Sequence, residues 1–135
     1  MEQQNQYPFS SVSIRLTEKA VEWLSGTTAD IDGNEVRNIA IFSRLLKDMR
    51  TTPGYDDTFR RPLNLKPGQA QFSEIGIADK WNFGRKKMHN ILAKMEAAGL
   101  VGIYNSRVGS AVSFSCIMGW KNSVGELVSN GFFAD

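Results

Sequence analysis

Four cations, a histidine and an asparagine fall within one short stretch: Arg85, Lys86, Lys87, His89, Asn90 and Lys94. Lysine and arginine neutralise phosphate. Arginine can also pair bidentately with guanine, and asparagine with adenine, so the set offers base readout as well as charge. Cations at a helix N-terminus oppose the macrodipole by ~0.3–1 kcal/mol each, so local structure alone disfavours three in a row there. His89 is the only histidine and has no cysteine or carboxylate at ligand spacing, so no metal is expected. No nucleophile–base pairing, carboxylate pair or phosphate-cradling glycine loop accompanies the set. The sequence predicts a binding protein, not an enzyme, and no cofactor.

The charge is unevenly divided. The chain carries +2 overall, yet residues 60–94 hold 8 Lys/Arg against 2 Asp/Glu, while residues 1–59 hold 6 against 9. Such concentration is the electrostatic footprint of a polyanion-binding surface. At 135 residues and 41% apolar content, the chain suits one domain with one modest core. It contains no run of eighteen apolar residues, so no membrane span is expected. The polar start MEQQNQYPFS lacks the order of a secretory signal, and a lone cysteine, Cys116, fits a reducing compartment. A cytoplasmic location is the expectation.

Around the basic stretch, the spacing predicts two helices joined by a tight turn. Ser73 can cap the first, with Glu74 behind it. Ile77, Ala78, Trp81 and Phe83 face a core, and Asn82 sits where a positive φ is needed. Gly84 opens the second helix. Met88, Ile91, Leu92 and Met95 follow i, i+3, i+4, i+7 spacing and turn inward, which leaves the polar set outside. Gly99 stops the helix.

Elsewhere, SVSIRL suits a short strand, and Thr17 can cap a helix through Leu24, with Gly26 as its stop. TTADIDGNE is read as a loop; its DIDGNE resembles a calcium loop only superficially, because the glycine is misplaced and the closing glutamate is missing. A longer helix is expected from Glu35 to about Met49, and TTPGYDDTFRRP as a loop. Lys66-Pro67-Gly68 should turn into a strand over Gln69–Phe72. LVGIYNSRVGSAVSFSCIM reads as a β-hairpin with Arg107 at its tip and Cys116 in its second arm. A short docking helix is expected from Ser123.

That order, strand, two helices, then GL-V and a hairpin, resembles the winged helix-turn-helix domain. Within that class, LKPGQAQFSEIGIADKWNFGRKKMHNILAKMEAAGLVGIYN is similar to the domains of phage and mobile-element replication-organiser proteins and related transcriptional regulators. The likeness runs from about Leu63 to Met118, and more weakly over the helix at 35–49. It departs at Gly84, where such domains usually carry a serine or threonine.

The resemblance implies a fold that is mainly α with a small β-hairpin (α+β). It divides the chain into an N-terminal extension (1–33), the winged domain (34–118) and a C-terminal tail (119–135). It also implies double-stranded DNA as partner, read by a recognition helix at about 84–98 and a wing at about 100–118. Arg85 and Asn90 would meet bases. Lys86, Lys87, His89, Lys94 and Arg107, with Arg60 and Arg61, would supply phosphate or groove contacts. Trp81 and Phe83 are read as core, not as base-stacking platforms. The alternative is a protein-contact module whose basic face docks an acidic partner. Apolar residues outside the winged core (Val21, Trp23, Leu24, Val124, Leu127, Val128, Phe132 and Phe133) raise the expectation of a homodimer.

Overall fold

A computed structural model of the chain describes residues 7–55, 63–107 and 109–134. In chain order the elements are β1 (Ser11–Ile14), α1 (Glu18–Leu24), β2 (Thr27–Ala29), β3 (Glu35–Arg37), α2 (Asn38–Leu46), β4 (Gly54–Tyr55), β5 (Asn64–Leu65), β6 (Gln69–Phe72), α3 (Glu74–Lys80), α4 (Arg85–Ala97), β7 (Gly102–Asn105), β8 (Ser110–Ser113), β9 (Ile117–Lys121) and β10 (Leu127–Ser129). Two three-stranded antiparallel sheets, ordered β6-β8-β7 and β1-β9-β10, stand beside a short hairpin, β2-β3, and a two-stranded antiparallel pair, β4-β5.

The expectation of a mainly α chain with a small β-hairpin is overturned: helix and strand are mixed throughout. Three local readings account for the difference. First, residues 27–37 are a hairpin and not a loop. Asp30 folds its tip as an Asx turn, its Oδ1 accepting the backbone N–H groups of Asp32 at 3.0 Å and Asn34 at 2.9 Å. The flanking TTA and EVR then pair, so α2 begins at Asn38 and not at Glu35. Second, no helix starts at Ser123. Asn122 Oδ1 instead accepts from the N–H groups of Val124 and Glu126, and Gly125 supplies φ 88°, turning β9 back into β10. Third, the arm expected to run on through Ile117 ends at Ser113. Cys116 lies in the turn that follows, and Ile117 opens β9.

β9 is the link between the ends of the described chain, because both β1 and β10 pair with it. On its inner face Val12, Trp120 and Val128 lie side by side; Trp120 is buried and the other two pack against the core. α2 contributes Ile41, Phe42, Leu45 and Leu46 to that core, and Phe42 meets Phe114 edge-on with ring centroids 6.2 Å apart. α4 contributes Met88, Ile91, Leu92 and Met95 from one stripe, and the β6-β8-β7 sheet contributes Ala70, Phe72 and Val112.

Small polar contacts fix where α4 ends. Thr17 Oγ1 accepts the N–H of Ala20, capping α1, and donates to the carbonyl of Ala98 at 3.0 Å. Ser115 Oγ donates to the carbonyl of Gly99, whose φ of 80° turns the chain out of the helix. No helix among the described residues is long and apolar enough to cross a membrane.

Candidate nucleic-acid interface

α3 and α4 pack against each other around a four-residue connection, Trp81 to Gly84. Ser73 accepts the N–H of Gly76 and starts α3. The helix gives way at Trp81, and Asn82 takes φ 61°, the only non-glycine positive φ among the described residues. Phe83 N–H then donates back to the Ala78 carbonyl at 2.8 Å, which folds the turn tightly. Ala78, Trp81 and Phe83 are all buried, so the two aromatics are core, as the spacing predicts.

Gly84 caps α4 through its backbone alone, and the first turn of α4 holds no acidic residue. Met88 and Met95, each 0% exposed, fix the rotation of the helix about its axis. That rotation leaves Arg85, Lys86, Lys87, His89, Asn90 and Lys94 exposed. The side chains of Arg85, Lys86, Asn90 and Lys94 make no hydrogen bond among the described residues, so they are available to a ligand. The free N–H groups of the first turn add a second acceptor-seeking feature beside them.

Two of the expected contacts are already engaged. Lys87 Nζ donates to the carbonyl of Ala29 in β2 at 3.0 Å. His89 Nδ1 lies 3.1 Å from Glu74 Oε2, which ties the middle of α4 to the first turn of α3 while the imidazole stays 68% exposed. Arg107 is exposed in the β7–β8 turn, where Ser106 N–H donates to the Gly109 carbonyl. Arg60 and Arg61 lie outside the described residues. Among the described residues no cluster of three or more His, Cys, Asp or Glu side chains is placed to hold a metal.

The apolar residues that suggested a second copy are divided. Leu24 is buried, Trp23 and Val128 pack against the core, and Phe132 and Phe133 are half-buried. The terminal stretch is anchored by Asn130, whose Nδ2 donates to the carbonyls of Phe114 and Ile117. Val21, Val124 and Leu127 are exposed.

Sequence reasoning missed the β2–β3 tip beside the helix pair. Ile31 N–H donates to the Asn82 carbonyl at 2.9 Å, and Asn82 Nδ2 donates to Asp32 Oδ2 at 2.8 Å. Desolvation pushes the Asp30 carboxyl up, but hydrogen bonds from the Asn34 N–H, the Asn82 side chain, the Asp32 N–H and the Asn34 side chain outweigh it and hold it below its usual value. The available signal was Asp-x-Asp-Gly-Asn between two β-capable triplets. Tyr104, on the first arm of the expected hairpin, is exposed on β7. No protein-family model matches this chain, and neither curated proteins nor solved structures gave a match.

Proposed function

We propose that residues 38–113 form a winged helix-turn-helix module that binds double-stranded DNA, with α4 in the major groove and the β7–β8 turn as the wing. The observation that carries this reading is the start of α4. Arg85 and Lys86 stand exposed beside uncapped N–H groups, with Asn90 exposed one turn beyond Lys86 on the same side as that lysine. Such a surface costs stability against the helix dipole and is repaid by phosphate and base edges. Arg85 and Asn90 read bases. Lys86, Lys94 and Arg107 contact phosphates. The protein acts as a regulator or an origin-binding factor without catalysis, in a reducing compartment, and two copies occupy a site because a single module buries only ~600–1,000 Å² on DNA.

Titration against duplex DNA at two salt concentrations tests the reading. Counterion release gives DNA binding a steep negative slope of log affinity on log salt, with tens of base pairs of any sequence bound weakly. Absence of duplex binding, with retention of an acidic protein partner instead, overturns it in favour of a protein-docking module. Light scattering that gives one 15.1 kDa chain per duplex overturns the two-copy arrangement alone.

A further inference from the structure

We propose that the β2–β3 hairpin is a clamp on the recognition helix, and that Lys87 and Asp32 are positioning residues through which it sets base selectivity. The inference rests on the DNA-binding reading above and adds to it an element outside the helix pair.

The hairpin is anchored at both ends. At its base, buried Asn38 donates its Nδ2 to the Trp23 carbonyl at 2.7 Å and accepts from Thr28 Oγ1 at 2.6 Å, while its N–H donates to the Gly26 carbonyl at 2.9 Å. These bonds root the hairpin at the junction of α1 and α2. At its tip, the Asx turn of Asp30 and the bond from Asp30 N–H to the Asn34 carbonyl fix the loop. From that rigid tip, three bonds reach the helix pair. Two hold Asn82, through its carbonyl and its side-chain amide, and one holds Lys87 in the first turn of α4.

The three contacts bracket the turn. Asn82 precedes Gly84 and Lys87 follows it, so the hairpin grips the chain on both sides of the α4 cap. A helix that reads bases needs its first turn held to a fraction of an ångström, and groups supported by rigid elements are held best. Lys87 directs one N–H to the Ala29 carbonyl, and the clamp gives it the role of a strut rather than of a phosphate contact.

Asp32 separates the clamp from simple electrostatics. Its carboxylate is bonded to Asn82, in the turn that leads into α4 and its cations, so electrostatics alone says that removing this negative charge tightens all DNA binding. The clamp says the opposite for the preferred site.

The test uses the full chain with a preferred duplex selected from a random pool and an unrelated duplex of equal length, each titrated across a salt series, with circular dichroism confirming fold. Lys86→Ala should lower the salt slope by about one. Lys87→Ala should instead weaken the preferred duplex about fivefold with the wild-type slope. Asp32→Ala should lower the ratio of preferred to unrelated affinity, and Asp32→Asn, which keeps an oxygen acceptor for Asn82, should restore it. A Lys87→Ala slope that falls by about one makes Lys87 a phosphate contact and overturns the clamp. So does an Asp32→Ala protein that binds both duplexes more tightly at an unchanged ratio. A wild-type chain that binds neither duplex overturns the DNA reading itself, and with it the clamp, before any variant is compared.

Discussion

Asn82 and Ile31 are joined by a 2.9 Å bond from the Ile31 N–H to the Asn82 carbonyl, although fifty-one positions separate them in the chain. The carbonyl can face the hairpin because Asn82 adopts φ 61°. That conformation costs an ordinary L-residue roughly 1–2 kcal/mol, while asparagine and glycine tolerate it. Asn82→Ala should therefore lower stability by about 1–2 kcal/mol in urea unfolding, and Asn82→Gly by clearly less. Equal losses in both variants mean that the bond to Asp32, and not the backbone angle, carries the effect.

On the DNA reading, Arg85→Ala and Asn90→Ala should each cost about 1–3 kcal/mol on the preferred site and relax base preference at one position. Both side chains are exposed and without a hydrogen bond among the described residues, so neither change should unfold the domain. Selection from a random pool reads the outcome. Unaltered preference in both folded variants takes α4 out of the major groove.

The helix pair was legible because its signals are local. Ser73, the Ala78–Trp81–Phe83 spacing, Asn82 and the Met88–Ile91–Leu92–Met95 stripe each act within a turn or two of chain. The sheets were legible only in part: β1, β6 and the β7–β8 hairpin were expected, but β2, β3 and β10 were not. These last run only three residues each, too short for a period-2 pattern to stand out. Ser11 also finds Lys121 across the whole chain, a pairing that no window of sequence contains. For the same reason the site was half legible. The cations of α4 announce themselves, but the engagement of Lys87 by Ala29 depends on a hairpin that looks like a loop until its strands are paired.

Trp81 is structural. At 9% exposure it fills the space between α3 and the core, so Trp81→Ala should cost about 3–5 kcal/mol through lost burial and a residual cavity. Thermal unfolding measures it. A preserved melting temperature with only DNA binding reduced contradicts the packing.

Cys116 should be inert. Burial pushes its thiol from 9.0 up to about 12, so the folded protein presents almost no thiolate at pH 8. A thiol reagent should label the native chain far more slowly than the urea-unfolded one. The sign for stability follows from linkage. With the folded value above the unfolded one, the contribution of the neutral thiol is fully present below about pH 9 and is lost as pH rises from there towards 12. A wild-type stability that falls more steeply across that interval than that of a Cys116→Ala variant confirms the assignment; parallel curves refute it.

Gly84 offers a way to separate helix stability from DNA affinity. Its φ of −68° and ψ of 153° suit any cap residue, and a Cβ there meets nothing within 4 Å. Serine would add an acceptor for a free N–H, worth a few tenths of a kcal/mol over glycine. It would also reduce the freedom of the unfolded chain, worth about 0.4–1 kcal/mol. Gly84→Ser should therefore raise stability by roughly 0.5–1.5 kcal/mol and leave or improve DNA binding, since a hydroxyl can donate to phosphate. Gly84→Asp should stabilise the helix at least as well, because a carboxylate complements the dipole at its N-terminus. The same carboxylate would stand where a DNA phosphate is proposed to lie. So Asp should raise the melting temperature while weakening every duplex, and the two variants should agree on stability and part on binding. If Gly84→Asp binds duplex DNA as well as the wild type does, the phosphate does not approach the start of α4, and the docking proposed for this helix is wrong.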